Sequence, residues 1–147
     1  MYKRILVPTD GSTLSKKAVK SAVDLASTVG AELVALHVVP RYPRSYFEGG
    51  LSVNATQIER VEKQWTERGQ ALADEVGKAA EKAGVKSRSI TARSDLVAEA
   101  ILAAARKNHC DLVVMASHGR KGLKRLLLGS ETQHVLTHGN IPVLVLR

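Results

Sequence analysis

Two glycines and a hydroxyl set the chemistry this chain can offer. Gly119 and Gly129 are separated by nine residues, and Ser130 follows directly. Glycines at such places let backbone N–H groups approach a phosphate, because no Cβ intrudes. A serine at a helix start adds an N-cap oxygen and the positive end of the helix dipole. Between Asp111 and Glu131 there is no acidic residue, whereas Arg120, Lys121, Lys124 and Arg125 are basic. The expected guest is an anion.

The elements around that loop alternate between strand and helix. Arg4 to Pro8 is a short apolar strand, and Thr9-Asp-Gly-Ser is a turn. A first helix is expected from near Leu14, capped by Ser12 or Thr13, with Ala18, Val19, Ala22, Val23, Ala26 and Val29 at helical spacing. Gly30 stops it. Leu33 to Val39 is apolar apart from His37, as a strand covered on both faces should be. Arg41 to Asn54, with Pro43, Gly49 and Gly50, reads as an excursion. From Thr56 a long helix is expected to place Ile58, Val61, Trp65, Leu72, Val76 and Ala80 on one face. Gly69 and Gly77 weaken it by about 1 kcal/mol each relative to alanine, and Gly84 ends it.

Ser87 to Ala92 is more polar and therefore nearer a sheet edge. Asp95 is expected to cap a third helix striped by Val97, Ala100, Ile101 and Ala104. Leu112 to Ala116, Glu131 to Thr137 and Ile141 to Leu146 read as strand, helix and strand. The sum is a single α/β domain over residues 1–147: an open parallel five-stranded sheet with helices on both faces. Ligands of such sheets sit beyond the carboxyl ends of the strands. Pro8-Thr-Asp-Gly and Ser117-His-Gly-Arg both lie there, and one pocket shared between them is expected.

Composition narrows the class. The net charge of +8 favours anionic partners. The five aromatics, Tyr2, Tyr42, Tyr46, Phe47 and Trp65, form no platform along the expected strands, so nucleic acid is a minor alternative. No apolar run is long enough for a bilayer, and the segment after Lys3-Arg4 is too brief for a secretory signal. The single cysteine, Cys110, allows no intramolecular disulfide, and a reducing cytoplasm is the expected home. Cys110 itself reads as an inert small residue.

Four blocks together resemble the universal stress protein family. They are Ile5-Leu-Val-Pro-Thr-Asp-Gly-Ser, Leu36-His-Val-Val, Met115-Ala-Ser-His-Gly with Leu128-Gly-Ser, and the terminal Ile141-Pro-Val-Leu-Val. The resemblance covers essentially the whole chain and implies the strand order 3-2-1-4-5. ATP-binding members carry Gly, two residues, Gly, nine residues, Gly and then Ser or Thr. Gly119, Gly129 and Ser130 match the last three of those positions, while Ala116 stands where the first glycine would be. A methyl there crowds a nucleotide without abolishing its binding.

The resemblance further implies that Pro8, Thr9 and Asp10 line the nucleoside. It places the Val38 backbone against adenine and Met115 as an apolar wall. Gly119, Gly129, Ser130 and the Glu131 amide become the phosphate cradle, with Arg120 an added cation. The implied cofactor is ATP, with Mg²⁺ carried by the nucleotide. The implied assembly is a homodimer through the Ile141–Leu146 strand, serving a regulatory protein partner whose nature the residues do not give.

Plainer roles compete with several of these. Asp10 can cap the first helical turn. His118 lacks a carboxylate neighbour in sequence and reads as a loop residue. His37 reads as a satisfied histidine in a core strand. No Ser/His/Asp arrangement or acidic metal cluster emerges, and the loop lacks the lysine-hydroxyl ending of a Walker P-loop. At most slow ATP hydrolysis is expected. A nucleotide-dependent stress-response module is the leading reading; a nucleotide-free dimeric scaffold and an adenylating enzyme stay open beside it.

Overall fold

The computed structural model describes residues 1–43, 54–119 and 128–147. Its chain order is β1 (Arg4–Pro8), α1 (Thr13–Val29), β2 (Glu32–Val39), α2 (Ala55–Lys82), β3 (Ser87–Arg93), α3 (Val97–Lys107), β4 (Leu112–Ala116), α4 (Ser130–His138) and β5 (Val143–Leu146). The strands form one parallel sheet in the order β3-β2-β1-β4-β5. That is the expected topology. The central part of the 41–54 excursion, including Gly49 and Gly50, lies outside the described residues, as do Arg120, Lys121, Gly122, Lys124 and Arg125.

The strand alternation splits the core in two. Ile5 and Val7 of β1 join Leu33 and Ala35 of β2 and Leu112 and Val114 of β4 beneath α1 and α2. Leu6, Val34, Leu36, Val113 and Met115 face the other way, beneath α3 and α4. Each large side chain fully buried in this way contributes about 1.5–3 kcal/mol.

Local signals set the helix ends. The Ser12 side chain accepts from Ser15 N at the start of α1, and Gly30 ends it in the left-handed region at φ 71°. A residue with a Cβ would be strained there. The buried stripe of α2 is Gly69, Ala73, Val76 and Ala80. Ile58, Val61, Trp65 and Leu72 are only half-buried, and Trp65 stacks on Tyr42 with centroids 6.0 Å apart. The two glycines have a packing role that propensity alone hides. A Cβ on Gly69 would lie 2.5 Å from His37 Cδ2, and one on Gly77 would lie 2.8 Å from Ser89 Oγ. Small residues let α2 settle close against β2 and β3.

Two caps differ from expectation. Asp95 does not cap α3: its Oδ1 accepts from Arg41 N at 2.9 Å. The N-terminus of α3 is served from α4, where Glu131 Oε2 accepts from Ala98 N at 2.9 Å. Ser130 is the first residue of α4 and not its cap; Gly129 holds the cap position, with no side-chain hydrogen bond to it. Among the described residues no helix is long and apolar enough to cross a membrane.

Candidate functional site

β1 ends in a turn cross-braced to its neighbours. Thr9 N donates to Leu36 O at 2.8 Å. His37 Nδ1 lies 2.8 Å from Thr9 O, and because a carbonyl only accepts, the proton sits on that nitrogen. The Thr9 and Ser15 hydroxyls are 2.9 Å apart, and Asp10 N donates to Ser15 Oγ at 3.3 Å. Asp10 Oδ1 accepts from Ser12 N at 2.9 Å, so this carboxylate does take part in the entry to α1. The turn is therefore fixed before any ligand arrives.

The far side is pinned with similar economy. Ser117 N donates to Leu146 O, and Gly129 N donates to Ser117 O, each at 2.7 Å. The Thr132 hydroxyl donates to Ala116 O at 2.9 Å. These bonds seat the start of α4 directly against the end of β4. A Cβ on Gly129 would stand 3.1 Å from both His118 Cα and Ser117 O. Glycine is needed for that approach, since its φ of −58° is open to any residue.

Between the two turns lies a cavity of about 640 Å³. Pro8, Thr9, Asp10, Val38, Met115, Ala116, Gly119, Gly129, Ser130 and Glu131 all line it. Arg120 lies outside the described residues. Seven further residues join them: Ser15, Leu36, His37, Val97, Ile101, His118 and Thr132. Val97 and Ile101 were legible only as an apolar helical stripe, because their facing a cavity depends on how α3 crosses the sheet. His37 keeps its satisfied hydrogen bond yet also borders the opening. His118 Nδ1 lies 3.2 Å from Ser117 Oγ, a contact within the loop.

The cavity has two chemical halves. Leu36, Val38, Val97, Ile101 and Met115 make its apolar half. The other half holds the N-terminus of α4, where the cap residue Gly129 supplies no side-chain hydrogen bond and the helix dipole has its positive end. The neighbouring N-terminus of α3 is already neutralised by Glu131. Ala116 sits between the halves, and strand alternation turns its methyl the way of Leu112 and Val114, away from Met115 and the apolar half. Cys110 stands apart; burial pushes its thiol up to about 11, so it is protonated and unreactive at neutral pH.

A parallel sheet in this order, with a cavity at the carboxyl ends of its strands, is an open doubly wound α/β architecture. The chain matches the universal stress protein family over residues 1–147 and belongs to it. Universal stress protein MJ0531 of Methanocaldococcus jannaschii is 36% identical over 147 residues, which span 100% of this chain and 83% of that protein. The solved structure of MJ0577, from the same organism, superposes with a TM-score of 0.83 at 30% identity, covering 99% of this chain and 96% of the other. Two more distant universal stress proteins share the fold. One, in complex with cAMP, has a TM-score of 0.68 at 23% identity and covers 98% of this chain and 95% of its own. The other, from Archaeoglobus fulgidus in complex with dAMP, has a TM-score of 0.67 at 17% identity and covers 99% and 98%.

Proposed function

We propose that this chain is an ATP-binding universal stress protein, a nucleotide-dependent regulatory or protective module of the cytoplasm. The observation that carries the reading is the continuity of one cavity. Its apolar half leads directly to a helix N-terminus whose cap residue, Gly129, supplies no side-chain hydrogen bond. Adenine suits the apolar half, and phosphate suits the N–H groups of Ser130 and Glu131. Relatives in complex with adenine nucleotides, cAMP and dAMP, support the same class of ligand.

The donor set fits a metal that arrives on the phosphates. Asp10 and Glu131 are the carboxylates of the cavity, and Glu131 is occupied at α3. No group of three metal-ligating side chains occurs among the described residues. Mg²⁺ would therefore be held by phosphate oxygens, with Asp10 the residue placed to reach it or its water. The metal would supply charge neutralisation along the triphosphate.

The test is thermal unfolding with Mg-ATP against adenosine alone. At one hundred times its dissociation constant ATP should stabilise the fold by about 2.7 kcal/mol. A melting temperature unmoved by millimolar Mg-ATP would overturn the reading. It would promote the nucleotide-free scaffold, which the alanine at position 116 keeps open.

A further inference from the structure

The cavity takes its two halves from two different helices. α3 contributes Val97 and Ile101 to the apolar half, while α4 brings its N-terminus, at Ser130 and Glu131, to the other. The start of α4 is fixed to the end of β4: the Thr132 hydroxyl donates to Ala116 O at 2.9 Å, and Gly129 N donates to Ser117 O at 2.7 Å. The start of α3 has no side-chain cap of its own, because Leu96 holds the cap position. The Ser94 hydroxyl accepts from Leu96 N at 3.0 Å, outside the helix. Asp95 accepts from Arg41 N at 2.9 Å. Ala98 N is held by Glu131 Oε2 instead.

Glu131 therefore meets both halves. Its backbone lies in the first turn of α4, and its carboxylate crosses to the first turn of α3, beside Val97. Val97 is half-buried and is the first residue of its helix, where helices fray. Ile101, one turn further in, is 2% exposed and held by the core. An orphan N–H without its acceptor loosens a first turn. A wall that is in place for only part of the time lowers a ligand's affinity by that fraction.

We propose that the Glu131 side chain is a positioning residue for the base. Acting through Ala98 N, it holds Val97 in place along the apolar half, so that base affinity depends on a carboxylate from the helix of the opposite half. The inference rests on the nucleotide reading above and adds to it a role that needs no contact between the carboxylate and the ligand. Linkage is reciprocal, so a bound base should in turn steady the first turn of α3.

The experiment is calorimetric titration of the full chain with adenosine, beside Glu131→Ala and Glu131→Gln. Adenosine is uncharged, and the two variants carry the same charge, so the comparison between them isolates the hydrogen bond. Glutamine keeps an oxygen that accepts from Ala98 N, and alanine does not. Glu131→Ala should weaken adenosine about threefold to tenfold. Glu131→Gln should stay within about twofold of the parent. In a Val97→Ala background the Glu131→Ala effect should shrink, because both changes act on one contact. Hydrogen exchange at the Ala98 amide of the parent should slow when adenosine binds. Equal adenosine affinity in the parent and Glu131→Ala, a glutamine variant as weak as the alanine one, or full additivity with Val97→Ala would each overturn the inference and leave the nucleotide reading standing. A parent that binds neither adenosine nor Mg-ATP would overturn both.

Discussion

Glu131 holds the first turn of α3 from a different helix, its Oε2 2.9 Å from Ala98 N. The bond joins α4 to α3 across the rim of the cavity, at a helix start whose own cap position, Leu96, offers no side-chain oxygen. An orphan N–H group and the α3 dipole are satisfied together. Replacing such a carboxylate acceptor by alanine costs about 0.5–2 kcal/mol. Glu131→Ala should lower stability by that amount and speed hydrogen exchange at the Ala98 amide. Asp95→Ala should leave that amide protected and expose Arg41 N. Faster exchange at Ala98 in the Asp95 variant alone would show the cap assigned to the wrong acid.

That misplacement shows what the residues could and could not reveal. Ser12 and Gly30 act within one turn of their own helix, so their roles were visible in sequence. The apolar runs of β1, β2 and β4 are buried on both faces and could be nothing but interior strands. Asp95 stands beside α3 and is a natural local cap, but Glu131 lies 33 residues from Ala98. Only the packing of two helices brings them together. Gly69 is similar: propensity marks it as a defect, and its reason is His37, on a strand thirty-odd residues away in sequence. Gly119 and Gly129 were legible as cavity residues because glycine spacing is a local signal. The apolar half was legible only in part, since Val97 and Ile101 look identical to core.

The glycines of the cavity invite small substitutions. A Cβ on Gly119 would lie 2.7 Å from Asp10 Oδ2, so the carboxylate would have to move. Gly119→Ala should weaken Mg-ATP binding while barely changing the melting temperature of the free protein. Gly129 is a different case, because the atoms a side chain would meet are backbone. Gly129→Val should therefore lose both ligand affinity and about 1–3 kcal/mol of stability by overpacking. Ser130→Ala is the cleaner probe of the phosphate half, removing at most one hydrogen bond worth about 0.5–1.5 kcal/mol. Calorimetric titration with ATP of all three variants checks the ranking. Equal affinity in Gly119→Ala and the parent would separate Asp10 from the ligand.

Acid stability should depend on Asp111. Its carboxylate accepts from Lys3 N at 2.8 Å and Arg4 N at 3.0 Å, tying the start of β1 to the start of β4. Partial burial raises its pKa, but hydrogen bonds from the Lys3, Arg4 and Asp111 amides, with the charge of the N-terminus, together outweigh that and hold it below the ordinary carboxylate value. Glu32 is lowered too, by hydrogen bonds from Lys86 and then Arg4, though its exposure makes that pair weak. For a depressed carboxylate the stabilisation is complete above the unfolded value of about 3.9 and fades as pH falls through the folded value. Asp111→Asn should cost about 1–2 kcal/mol at pH 7. The gap between parent and variant should close below about pH 4. Denaturant midpoints from pH 7 to pH 2 provide the measurement, and a gap that widens in acid would contradict the assignment.

The last prediction concerns β5, which lies at the edge of the sheet with Leu144 42% exposed. Val113 N donates to Pro142 O, and Ser117 N donates to Leu146 O. In a parallel pair both backbone groups of a residue turn to the same neighbour, so residues 142, 144 and 146 serve β4. Val143 and Val145 then direct their N–H and C=O groups to the open edge. An apolar edge with free donors is a template for another strand, and antiparallel pairing with the same strand of a second copy closes it by two-fold symmetry. Val145→Pro removes an edge donor without touching a bond to β4, which makes it a selective probe. Sedimentation of the parent should give about twice the 15.8 kDa chain mass, and the variant should shift toward monomer. A parent that sediments as a monomer at micromolar concentration would rule out this interface. A variant that stays dimeric would place the contact elsewhere.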